Sequence, residues 1–199
     1  REVTLLENIR EVNTTVIQRQ KGAGGVNHRA KAMNAIQAGF PLTGSPKTLV
    51  ILVNFSDKSF VVPDAQTAFN NLLNQSGYSA NAGTGSAKDY FKASSYGQFA
   101  PQFDVVGPFN LPKTMAAYGA NVDDWDVNPA GMVVDACAAA NAAGLDFTQY
   151  DTDNDGVVDN VFVYYAGYNE AEGAAENTIW PHRWVVYTSQ ESASDYTFD

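Results

Sequence analysis

The run Asp151-Thr152-Asp153-Asn154-Asp155-Gly156-Val157-Val158-Asp159 sets carboxylates at every second position around a glycine, with one wider step at the end. Aspartates crowded this closely repel one another unless a cation sits among them. Calcium suits the cluster: it is a hard cation that takes about six to eight oxygen ligands. The spacing assigns side-chain oxygens to Asp151, Asp153 and Asp155 and a backbone carbonyl to Val157. Gly156 permits the sharp turn, and Asp159 falls where a direct or water-mediated ligand belongs. The loop is not an EF-hand, because Phe162 stands where a bidentate glutamate is required. The residues that follow, Val161-Phe162-Val163-Tyr164-Tyr165-Ala166, read as a buried strand and not as an exiting helix. A cation here pins a loop to the start of a core strand.

Other reactive residue types offer less. Cys137 sits among alanines in a helix of small residues and reads as a buried, inert thiol. No G-x-S-x-G elbow supports a serine nucleophile, and only His28 and His182 are available as a base. His28 lies in a polar lead-in segment. His182 is bracketed by Trp180 and Trp184, where it either orients a substrate or serves as a structural histidine. A catalytic zinc needs about three protein ligands, and two distant histidines without H-E-x-x-H do not supply them. Asp123, Asp124 and Asp126 around Trp125 read as a solvated acidic loop, with a second cation as the alternative. Gly83-Thr84-Gly85-Ser86 precedes a helix but lacks the lysine of a phosphate loop. Tyr78, Tyr90, Tyr96 and Tyr118 either line a carbohydrate or peptide groove or pack inside with their hydroxyls at the surface.

These residues need a scaffold, and the sequence describes one. Leu6, Ile9, Val12 and Val16 have helical spacing, ended by Lys21-Gly22-Ala23-Gly24-Gly25. The stretch to Pro46 is weakly patterned and reads as a lead-in or linker. Lys47 to Phe55 is a continuous apolar run that predicts a strand covered on both faces. Pro63-Asp64 opens a helix with Ala68, Leu72 and Leu73 inward, proline being placed in its first turn. Ser86 and Asp89 form a capping box for a helix carrying Tyr90 and Phe91. Phe103 to Val106 predicts a strand that ends at Gly107-Pro108. Asn128-Pro129 caps an alanine-rich helix that stops at Gly144. Ile179 to Tyr187 predicts a further extended segment. Strands alternating with helices give an α/β (α+β) class with a mixed sheet.

The chain has 199 residues, enough for one domain with at most a small appendage, and its 45% hydrophobic content can fill a core. A net charge of −10, with no basic cluster, speaks against nucleic acid as a partner. No apolar run reaches the length of a membrane span. A lone Cys137 forms no intrachain disulfide. A calcium loop favours the calcium-rich exterior or the periplasm over the cytosol. The first residue is Arg1 and no signal peptide is visible, so the chain is expected to be a processed piece of something longer.

Six segments, in order, resemble the M6 family of secreted bacterial metallopeptidases, the immune-inhibitor-A-like proteins. Leu49 to Asp57 is similar to that family's first core strand. Gly85-Ser86-Ala87-Lys88-Asp89-Tyr90-Phe91 and Ser94-Ser95-Tyr96-Gly97-Gln98-Phe99 resemble its G-S-x-x-D-Y-F and S-Y-G-Q-F signatures. Phe103 to Pro108 matches its F-D-V-V-G-P, and Tyr150 to Gly167 its calcium loop and following strand. Ile179-Trp180-Pro181-His182-Arg183-Trp184 resembles its W-P-H strand. The resemblance spans residues 47–188.

The resemblance implies the upper, sheet-bearing half of a zincin-like fold: a mixed twisted sheet with flanking helices. It implies a bacterial protein that is secreted or at the cell surface. Residues 1–46 would be a propeptide tail or linker, and 47–199 the N-terminal, sheet-bearing part of the peptidase domain. The family's H-E-x-x-H helix, which supplies two zinc ligands and the general base, lies downstream of the W-P-H strand. This chain reaches Asp199 without it, so no catalytic residue or zinc ligand maps onto it, and the chain alone is expected to be inactive. Its expected partners are a protein or peptide substrate and the remainder of its own catalytic domain. Trp180, His182 and Trp184 are candidates for a cleft wall, with Ile179–Tyr187 as an edge strand for extended substrate. The alternative is a non-catalytic, calcium-stabilised binding or surface module.

Overall fold

The computed structural model describes residues 40–122, 125–183 and 186. The helix expected near the N-terminus, His28, Asp123, Asp124 and Trp184 lie outside the described residues.

Strand β1 (Lys47–Asn54) is the centre of the molecule. It pairs in parallel with β2 (Gln102–Asn110) on one side and with β5 (Val161–Tyr165) on the other. Leu49 to Val53 are fully buried, so each contributes about 1.5–3 kcal/mol of gross burial. Alternation explains how one strand feeds two cores. Leu49, Ile51 and Val53 face Met115, Tyr118, Met132 and Ala136. Val50 and Leu52 face Ala65, Leu73, Phe103 and Val105.

Helix α1 (Ala65–Asn74) and helix α2 (Ala87–Ser94) cover the second face. The side chain of Asp64 caps α1 by accepting from Thr67 N at 3.2 Å. Pro63 therefore precedes the cap and does not occupy the first turn. The capping box of α2 is complete: Asp89 N donates to Ser86 Oγ at 3.2 Å, and Ser86 N to Asp89 Oδ2 at 3.1 Å. The other face carries α3 (Met115–Gly119) and α4 (Pro129–Ala142). Asn128 caps α4 with proline at its start, and Gly144 follows its end at φ +86°, as the sequence predicts.

The α/β class expected from the sequence is present. Among the described residues the three-stranded sheet is parallel, and the antiparallel pair is a separate hairpin of β3 (Asn121–Val122) and β4 (Trp125–Asp126). One expectation changes: β2 does not end at Gly107-Pro108 but runs through it to Asn110, with a shift of register opposite Ile51–Val53. Gly107 makes this possible: at φ +92° a Cβ would sit 2.5 Å from the Leu52 carbonyl oxygen. The glycine reads locally as a stop, but close backbone approach is its role here. No helix among the described residues is long and apolar enough to cross a membrane.

Candidate functional site

A short 3-10 turn, Phe147–Tyr150, delivers the chain into the aspartate loop. Asp146 caps it, accepting from Thr148 N at 3.0 Å. Phe147 and Tyr150 are buried and anchor this end in the core. The far end is held by Asp159, whose N–H donates to the Tyr150 carbonyl at 3.0 Å. Two residues further on, Val161 pairs with Leu49 in the central strand. The loop is thus tied at both ends to buried structure.

Between those ends the backbone turns through Asn154 at φ 57° and Gly156 at φ +85°. The turn folds the loop amides inward. Asp155 N donates to Asp151 Oδ1 at 3.1 Å and to Asp153 Oδ1 at 3.2 Å. Gly156 N donates to Asp151 Oδ2 at 2.8 Å, and Val157 N to Asp155 Oδ1 at 2.8 Å. One carboxylate oxygen from each of Asp151, Asp153 and Asp155 lies within 4.8 Å of the other two. Like charges about 4 Å apart repel by about 1 kcal/mol even in bulk water. The crowding displaces water from Asp153 and, with the charges of Asp155 and Asp159, pushes its carboxyl above the usual 3.8. Each carboxylate keeps lone pairs that the amides do not use, so the trio can hold a hard cation. Asp159 is oriented differently. Its Oδ2 accepts from Thr152 N at 3.0 Å and from the Thr152 hydroxyl, bracing the loop. The side chain of Val157 is exposed.

The remaining candidates separate. Cys137 is half-buried, and loss of solvent pushes its thiol up to about 12, leaving it no nucleophilic thiolate near neutrality. The Gly83–Ser86 turn already has an anion: Asp89 accepts from both Ser86 N and Gly77 N, which opposes a phosphate there. The tyrosines do not share one groove: Tyr118 is fully buried and donates to Asp135 at 2.7 Å, whereas Tyr96 is 94% exposed.

His182 is exposed, with Nδ1 2.8 Å from the Trp180 carbonyl oxygen. Of the expected edge strand Ile179–Tyr187, residues 184, 185 and 187 lie outside the described residues; within the described part, Ile179 makes a parallel bridge to Asn169. Tertiary contacts place it. Ile179 is fully buried against Gly119, where a Cβ would lie 2.4 Å from Ile179 Cγ1. Tyr165 OH donates to the Ile179 carbonyl at 2.9 Å, and Trp180 N donates to Asp126 Oδ2 at 3.1 Å. Sequence reasoning missed Tyr165 and Asp126 as the holders of this segment. No local pattern signals a bond between residues so far apart.

The residues present do not fit a catalytic zinc. His182 is the one histidine among the described residues. The only triad of potential ligands there is the all-carboxylate Asp151–Asp153–Asp155, whereas catalytic zinc sites draw on histidine.

Comparison with known proteins bears on the whole arrangement. The chain is 30% identical over 120 residues to Immune inhibitor A of Bacillus thuringiensis subsp. alesti, an alignment covering 50% of this chain and 18% of that protein. The chain therefore spans under a fifth of the relative's length. Residues 37–197 match the family described as Immune inhibitor A peptidase M6, catalytic domain. With that match extending over most of its length, the chain belongs to the M6 peptidase family.

Proposed function

We propose that this chain is the sheet-bearing part of a secreted, zinc-dependent endopeptidase, with a calcium-binding loop at Asp151–Asp159. The observation that carries the calcium reading is the convergence of three aspartate oxygens within 4.8 Å in a loop fastened to the central sheet. Asp151, Asp153 and Asp155 supply side-chain oxygens, Val157 its carbonyl, and Asp159 a water-mediated contact or the brace on Thr152. The ion fixes the entry to β5 and so stabilises the sheet. Residues 47–199 form this part of the peptidase domain, and 1–46 a propeptide tail or linker. Trp180, His182 and Trp184 contribute to a cleft wall for a protein or peptide substrate. Zinc and its ligands belong to the remainder of the catalytic domain, because the 199 residues contain no H-E-x-x-H.

The reading predicts that the isolated chain hydrolyses no protein substrate. Zinc-dependent proteolysis by the purified 199 residues contradicts it. A non-catalytic, calcium-stabilised binding or surface module is the second reading. It is favoured by Trp125 and Trp180, both exposed and on segments joined through Asp126. Chelator-sensitive proteolysis by a longer protein containing this chain excludes it.

A further inference from the structure

Among the described residues the strand order is β2–β1–β5, so one side of β2 has no neighbouring strand. Gln102 N donates to the Pro46 carbonyl, on the side of β1. Main-chain groups alternate sides along a strand, so those of Phe103 and Val105 point outward. Three of these four outward groups are taken by side chains of α1. Phe103 N donates to Asn74 Oδ1 at 3.0 Å, and Asn74 Nδ2 donates to the Phe103 carbonyl at 2.8 Å. Gln66 Nε2 donates to the Val105 carbonyl at 2.8 Å. The Asn74 carboxamide thus offers β2 one acceptor and one donor, as a neighbouring strand does. Its other amide hydrogen goes to Asn70 Oδ1 at 3.0 Å, which fixes its orientation. Gln66, Asn70 and Asn74 are four residues apart and form one row on the helix. Burial does not account for the row, since Gln66 and Asn70 are exposed.

Strand β2 needs such cover. It is nine residues long and carries no lysine or arginine. Its one charge, Asp104, is engaged by Lys47 at 3.8 Å and by the Tyr150 hydroxyl at 3.3 Å. Gly107-Pro108 and the register shift interrupt only the far half of the strand. An unpaired edge of this kind is a template for another strand. The edge is also reachable. A groove of about 400 Å³ lies beside it, lined by Asn70, Asn74, Lys88, Phe103, Asp104 and Val105. The bulk of α1 leaves this space open, so the side-chain amides are what close the edge.

We infer that Gln66, Asn70 and Asn74 stand in for a neighbouring strand and keep the β2 edge from pairing with the β2 edge of a second copy of this chain. A second copy is the partner because every copy carries the same edge, and two such edges can meet antiparallel across a two-fold axis.

Sedimentation equilibrium of the 199-residue chain tests this, with the double variant N74A/Q66A set against the wild type. The expected result is self-association tightened by at least about tenfold, with a new intermolecular-strand band in the infrared amide I region. N74D separates this from a simple loss of stability. It too loses the donor to the Phe103 carbonyl, but it places a charge on the edge, which opposes strand pairing. N74D should therefore associate no more tightly than the wild type. A folded N74A/Q66A that associates no more tightly than the wild type overturns the inference, as does an N74D that associates as tightly as N74A/Q66A. If circular dichroism shows that N74A/Q66A does not fold, amide exchange in the wild type decides. The Phe103 N–H should exchange about a hundredfold more slowly than an open amide. Exchange at the open rate would show that Asn74 does not close the edge, and overturns the inference.

Discussion

Asp151, Asp153 and Asp155 are neighbours in sequence and bond to amides of their own loop. Asp126 and Glu170 are brought together by a hairpin and a distant turn, and each keeps one sealed oxygen without a partner. The first group is partly exposed and is shaped by two left-handed residues. The second is shaped by a buried isoleucine, a tyrosine hydroxyl bonded to its carbonyl and a glycine against which the isoleucine packs. A cluster made from contiguous residues needs only turn chemistry. A cluster made from separated ones inherits its geometry from the core, so perturbing the core should damage it while sparing the other.

Ile179→Ala should have the largest effect. It empties a fully buried position and should destabilise the chain by about 2–5 kcal/mol in urea unfolding. It should also release Trp180, seen as a shift in its fluorescence, while leaving the calcium response of the aspartate loop in place. Gly156→Ala breaks the comparison from the other side. Its φ of +85° disfavours any Cβ, although the space around it is open. The cost should be about 1–2 kcal/mol, confined to the loop, with Trp180 fluorescence unchanged. Ser86→Ala should cost about 1 kcal/mol through the lost cap of α2 and alter neither acidic region. A change in calcium affinity in that variant would show that the regions are not separate.

The smallest effect is a pH dependence at Asp89. Backbone N–H groups of Ser86 and Gly77 hold its carboxyl below the usual 3.8. Its stabilising effect is therefore complete above the usual value and lost as pH falls through the lower folded one. Asp89→Asn should reduce stability near neutrality and show less further loss on acidification than the wild type, by thermal unfolding across an acid series.

The same division governs what could be read from the sequence. The capping box of Ser86 and Asp89, the Asn128-Pro129 start of α4 and the apolar run of β1 are local patterns, and each formed the element expected. The turn at Gly156 was legible for the same reason. Gly107-Pro108 was misread as a strand end because the pattern does not show that Leu52 presses against that glycine. Ile179–His182 has strand-like residues, yet Tyr165, Gly119 and Asp126 fix its course by contacts across the fold. Asp126 was visible as part of an acidic loop. Its meeting with Glu170 was not, since nothing in either neighbourhood names the other.

Thermal unfolding of the wild type and Asp153→Ala, each in calcium and in chelator, tests the central claim most directly. The account predicts that calcium raises the wild-type melting temperature and that Asp153→Ala loses the increase. An Asp153→Ala protein that responds to calcium as the wild type does would contradict it.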